Sequence, residues 1–158
     1  MSARPPRQTL IPNANNVRLL ARLVDLVARG VRDNRTLAML LDCEVRTVNY
    51  YTQAGDWLNL LATDEKTLSP TLTRLGTEYA FAGKDRGRVY ARAVWQNPFV
   101  VQLMDGRTEL PKAAGIAQFI QASVPDMAPS TARRRASSVR ALLEPALRYP
   151  APKTQPPG

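Results

Sequence analysis

Two stretches hold the side chains best suited to chemistry: residues 37–51, LAMLLDCEVRTVNYY, and residues 127–147, MAPSTARRRASSVRALLEPAL. In the first, Val48 and Tyr51 fall on the inner side of a helix, leaving Arg46, Asn49, Thr52 and Gln53 outward. A guanidinium such as Arg46 can fork onto guanine and a carboxamide such as Asn49 onto adenine. Thr47 adds a hydroxyl, and Tyr50 reads either as a surface aromatic or as a backbone contact. In the second stretch Ser130 is placed to cap a helix that starts at Thr131, with Ala132, Ala136, Val139 and Leu143 on one face. Arg133, Arg134, Arg135, Ser137 and Arg140 then give that helix a cationic, hydroxyl-bearing surface suited to phosphates and base edges.

Other chemistries are poorly served. The chain has no His and one Cys, Cys43, which removes zinc sites, His-dependent triads and an intramolecular disulfide. Its 13 acidic residues are dispersed instead of clustered as metal-dependent phosphodiester cleavage requires. The expectation is therefore a protein without catalytic residues, metal or cofactor, whose function is reversible recognition. Lys and Arg number 22, for a net charge of +9, which favours a polyanionic partner. The excess lies at both ends, and most of the cations are Arg, although GC-rich codon usage alone would also enrich Arg.

The elements that must hold these residues read as helices. From Asn16, Val17, Leu20, Leu23 and Val27 recur at three- and four-residue steps until Gly30. A second helix is expected at 35–41, a break at Asp42-Cys43-Glu44, and a third helix at 45–54 closed by Gly55. Beyond the polar run 62–66, residues 67–73 suit a short β-hairpin, and 74–81 a helix returning onto the first. Gly83–Gly87 reads as a boundary, followed by helices at 89–96, from Pro98, and at 112–122. Trp57, Trp95 and Phe99 read as core anchors and Cys43 as a buried plug. The organisation is thus a basic arm at 1–15, one module at 16–83, a second at 88–148, and a Pro-rich tail at 149–158. Arg4 and Arg7 in the arm could follow a DNA groove, but frayed basic ends are common, and the plainer reading keeps the arm outside the core and the function.

In the first stretch a small Ala38, an apolar plug at Cys43 and an apolar anchor at Val48 fill the three roles that two closely crossing helices need. With Leu37, Ala38, Leu41, Thr47, Val48 and Tyr51 it resembles the helix-turn-helix of bacterial winged-helix regulators and restriction-associated DNA-binding modules. Asp42 stands where Gly is usual and Glu44 where Ser is usual, and a carboxylate there would repel phosphates. Ser130, Thr131, Ala132, Arg134, Arg135 and Ala136 resemble the recognition helix of the companion domain in restriction-associated proteins. The resemblance implies a mainly α fold of two tandem helix-turn-helix modules, the first with a β-hairpin wing. It implies a non-catalytic binder of double-stranded DNA, a regulator or the targeting part of a restriction or genome-maintenance system. A protein–protein adaptor is the alternative, and a nuclease a more distant one. A homodimer through 17–27 or 89–103 stays open, and no apolar run suits a membrane span or a secretory leader, so a cytoplasmic, nucleoid-associated location is expected.

Overall fold

The computed structural model describes residues 11–151, which form eight α-helices and one two-stranded sheet. Helix α1 (Val17–Ala28) buries Leu20, Leu23, Val24 and Val27, the row its spacing foretold, and Gly30 ends it at φ 94°. Helix α2 (Asn34–Leu41) is capped by Asp33, whose carboxylate accepts from the Thr36 N–H and hydroxyl; those bonds hold its pKa below the usual carboxylate range. Helix α3 (Val45–Trp57) passes straight through Gly55. That residue is no stop: a Cβ there would lie 2.5 Å from Leu61 Cδ1, so Gly permits the close approach of the next strand. The turn falls instead at Asn59, in the left-handed region at φ 60°.

Strand β1 (Leu61–Thr63) pairs antiparallel with β2 (Pro70–Leu72), Leu61 opposite Leu72 and Thr63 opposite Pro70. The hairpin is wider than residues 67–73 alone suggest, because the polar run is its loop and not its approach. Asp64 shapes that loop by accepting from the Lys66 and Thr67 N–H groups, and the Asn34 carboxamide donates to Leu68 O, tying the loop to α2. Thr73 caps α4 (Arg74–Ala80), accepting from the Gly76 N–H. A Cβ on Gly76 would sit 1.8 Å from Leu60 O, so only glycine fits where α4 crosses the chain leading into β1.

Gly83–Gly87 is not a free linker. A 3-10 turn (Gly83–Asp85) feeds directly into α5 (Arg86–Gln96), and Arg86 reaches back to α1. Its Nη2 lies 2.5 Å from Asp25 Oδ1, it donates to the Tyr79 and Ala80 carbonyls, and its guanidinium stacks 4.7 Å from the Tyr79 ring centre. Asn97 fastens the halves again. Its carboxamide Oδ1 caps α6 (Pro98–Leu103) by accepting from the Phe99 and Val100 N–H groups, while Nδ2 donates to Trp57 O at the end of α3, 2.6 Å away. Trp57 and Phe99 pack at 5.7 Å, and Phe99 meets Phe119 of α7 (Ala113–Ser123) edge-on at 5.1 Å. Helix α8 (Pro129–Leu143) packs along α7 and receives the Tyr90 hydroxyl of α5 on its Leu142 carbonyl.

One continuous cluster of buried apolar residues therefore runs through both halves. It takes in Ile11 and Ala14, so residues 11–14 belong to the core and not to an outlying arm. Tyr149 is half-buried, its carbonyl accepting from Trp95 Nε1, so the tail does not begin there. The apolar faces of α1 and of 89–103, which the sequence offered for a homodimer, are turned into this core apart from Val101. Among the described residues no helix is long and apolar enough to cross a membrane.

Replacing Asn97 tests the join. Asn97→Ala should lower stability by about 3 kcal/mol in denaturant unfolding, from a lost cap plus an orphaned Trp57 carbonyl. Asn97→Ser, which keeps a capping oxygen without reaching Trp57, should recover about 1 kcal/mol of that. A loss under about 1 kcal/mol for Asn97→Ala would show that the halves do not depend on this side chain.

Candidate nucleic-acid interface

The link between α2 and α3 is a tight three-residue turn. Asp42 takes up the left-handed conformation at φ 53° that a glycine would adopt without cost, and it closes α2 through Asp42 N–H to Met39 O at 3.2 Å and Cys43 N–H to Ala38 O at 3.0 Å. Ala38 and Val48 are buried and Cys43 half-buried, which are the positions expected of contact, anchor and plug. Burial, with Asp42 beside it, raises the Cys43 thiol pKa. Glu44 precedes α3 without a side-chain capping bond, and both Asp42 and Glu44 are exposed.

Along α3, Arg46 and Gln53 are exposed and Asn49 is half-exposed, one polar row at three- and four-residue steps. Arg46 is already ordered: Nε donates to the Tyr50 hydroxyl at 2.6 Å and the guanidinium lies 5.3 Å from the ring centre. Bonding through Nε leaves the two terminal nitrogens, the pair that forks onto an acceptor edge, unused by that contact. Thr47 and Tyr50 flank the row, half-buried. Thr52 does not belong to it. At 3% exposure it faces the interior, because at 3.6 residues per turn it lies above Val48, and its hydroxyl oxygen has no hydrogen-bond partner there.

Helix α8 opens two residues earlier than Ser130 suggested. Ala128 is the cap residue, with no side-chain bond, and Pro129 occupies the first helical position, where its missing N–H costs nothing. Ser130 is thus inside the first turn and exposed, with Thr131 half-buried beside it. Ala132, Ala136, Val139 and Leu143 are buried as their spacing required, joined by Ser138 and Leu142. Arg133, Arg134 and Ser137 are exposed.

The remaining two arginines differ from these. Arg140 is ion-paired with Glu144 one turn on and lines a cavity of about 950 Å³ with Trp95, Val101 and Leu147. Arg135 is half-buried and donates to Ile11 O at 3.4 Å. Burial pulls its pKa below the usual arginine range, with the Tyr50 hydroxyl opposing that shift and Arg134 adding to it.

Residues 11–16 link the two candidate helices through the main chain. Ile11 is held by Arg135, and the Asn16 N–H donates to the Tyr51 hydroxyl of α3 at 3.1 Å. This strap is the part of the site that sequence reasoning missed. Its only signal was the apolar Ile11 beside Pro12 in a polar run, too short for any periodicity. Among the described residues no group of three His, Cys, Asp or Glu is placed to hold a metal.

The site thus defined is a polar, arginine-bearing surface on two helices of a mainly helical protein. The chain belongs to a family described as a domain of unknown function, DUF7226, whose model matches residues 19–147. No curated protein and no solved structure matches it.

Asp42 offers a test of the turn. Asp42→Gly should stabilise the fold by about 0.5–1 kcal/mol, because glycine adopts the left-handed conformation without a Cβ clash. Thermal or denaturant unfolding reads the change directly. A destabilised variant would mean that the Asp42 side chain holds the turn by a contact of its own.

Proposed function

We propose that this protein is a non-catalytic binder of double-stranded DNA, built from two helix-turn-helix modules, the first winged by β1 and β2, with α3 and α8 as its DNA-facing helices. A regulator or the targeting component of a restriction or genome-maintenance system is the role such a protein fits. The observation that carries the reading is that residues 11–16 bond to both arginine-bearing helices, accepting from Arg135 of α8 at Ile11 O and donating from Asn16 N–H to the Tyr51 hydroxyl of α3, in a chain of net charge +9. Arg46, Arg133 and Arg134 supply cations to phosphates or guanine edges, and Asn49 and Gln53 supply paired donors and acceptors. Arg135 positions α8 against the strap, and Arg140, neutralised by Glu144, contributes less to binding.

A second reading has its own support. Met39 and Leu40 of α2 and Val45 of α3 are 72%, 43% and 39% exposed around the turn, an apolar surface that suits a protein partner. An adaptor of that kind would show no salt-dependent affinity for duplex.

Three variants separate docking from reading. Arg134→Ala should weaken binding to every duplex and reduce the slope of log affinity against log salt by about 0.9. Arg140→Ala should change that slope by less than half as much, and equal slopes for the two would place the docking face elsewhere. Asn49→Ala should instead lose about 1–3 kcal/mol on particular base pairs only, measured by competition between duplexes of different sequence. Equal losses on all of them would reduce Asn49 to a backbone contact.

A further inference from the structure

Arg46, Arg133 and Arg134 are the exposed arginines of the two helices proposed to face DNA, and they are not alike. The guanidiniums of Arg133 and Arg134 make no hydrogen bond or ion pair among the described residues, whereas that of Arg46 is held by its own helix. The holder is Tyr50, one turn on, whose side chain leans back toward the helix start and so meets Arg46. Nε of Arg46 donates to the phenol oxygen at 2.6 Å, and the ring centre lies 5.3 Å from the guanidinium carbon. Those two contacts restrain both the direction and the tilt of a planar group. Carboxylates are also close by in the chain, Asp42 one turn back and Glu44 two residues back, both exposed. Among the described residues Arg46 pairs with neither of them.

A phosphate accepts a cation from many directions, so a free arm such as Arg134 serves it as well as a fixed one. Fixing an arginine gains most where the acceptors themselves are fixed, as N7 and O6 are on the major-groove edge of guanine. The Tyr50 contact uses Nε and spares the two terminal nitrogens, the pair that such an edge takes side by side. Asp42 and Glu44 add a second reason, because their charges repel phosphate at this end of α3 far more than they repel an uncharged base edge. We infer that Tyr50 is a positioning residue that commits Arg46 to a guanine edge, so that Arg46 selects sequence while Arg133 and Arg134 neutralise phosphate. The inference rests on the DNA-binding reading above and narrows it: the preferred duplex carries a guanine opposite Arg46.

The test uses the full chain and the duplex it selects from a random-sequence library. Each guanine of that duplex is replaced in turn by 7-deazaguanine, which keeps base pairing and the phosphates but lacks the N7 acceptor. One replacement should weaken wild-type binding about tenfold, and Arg46→Ala should bind the two duplexes equally while keeping the wild-type salt slope. Tyr50→Phe, which keeps the ring and loses the hydroxyl, should cut that discrimination to about threefold or less with an unchanged unfolding midpoint and salt slope. A purely structural role for Tyr50 would instead weaken binding to both duplexes alike. Full discrimination in Tyr50→Phe overturns the positioning role. A salt slope reduced by about 0.9 in Arg46→Ala, or no guanine whose replacement matters to wild type and not to that variant, makes Arg46 a phosphate contact and overturns the inference alone. A wild-type protein that selects no duplex overturns the DNA-binding reading, and the inference with it.

Discussion

Asn97 holds a buried polar junction on which the relation between the two halves depends. Asn97 is 5% exposed, and both polar atoms of its carboxamide are bonded, one capping α6 and the other satisfying the last carbonyl of α3. A buried carbonyl left without a donor costs about 1–3 kcal/mol, so the two halves cannot separate here without exposing or orphaning Trp57 O. From Asn97 the connection continues through packed rings, Trp57 to Phe99 to Phe119, and so into α7 and its partner α8. The bidentate Arg86–Asp25 pair secures the opposite side of the junction.

This constraint changes how two DNA-facing helices would act. Separate modules on a flexible joint gain affinity from tethering alone and can span half-sites at variable distance. Here α3 and α8 are fixed to one core and both bond to residues 11–16, which suits a single contiguous stretch of partner. The exposed carboxylates of Asp42 and Glu44 sit at the start of α3 and would oppose phosphate there, so on the proposed DNA-binding reading the attraction at that end would come from Arg46 and its neighbours. Arg46 is well suited to it, because its stacking on Tyr50 removes part of the entropy a free arginine would lose on binding.

Where the sequence was legible, periodicity was long. The buried rows of α1 and α8, the inward placement of Ala38 and Val48, and the opening of α6 at Pro98 all read correctly because each rests on local stereochemistry. The misreadings arise where a residue's own preference was outweighed by another residue, whether its chain neighbour, one helical turn away or far along the chain. Gly55 looked like a helix end, yet its missing side chain admits Leu61. Ser130 looked like a cap, but Pro129 already fixes the first turn. Thr52 looked polar and outward, yet it lies over Val48. Gly83–Gly87 reads as a boundary, and nothing local announces that Arg86 will pair across it with an aspartate 61 residues earlier. The strap 11–16 was illegible for the same reason, since both of its anchors lie on helices far along the chain.

Site-specific photo-cross-linking tests most directly whether α3 and α8 form one DNA-facing surface. A benzophenone side chain in place of exposed Gln53 or, separately, of exposed Ser137 should cross-link to bound duplex, whereas one in place of Val101, beside Leu147 at the cavity, should not. Cross-links from neither helix, or from Val101 as readily as from both, would contradict it.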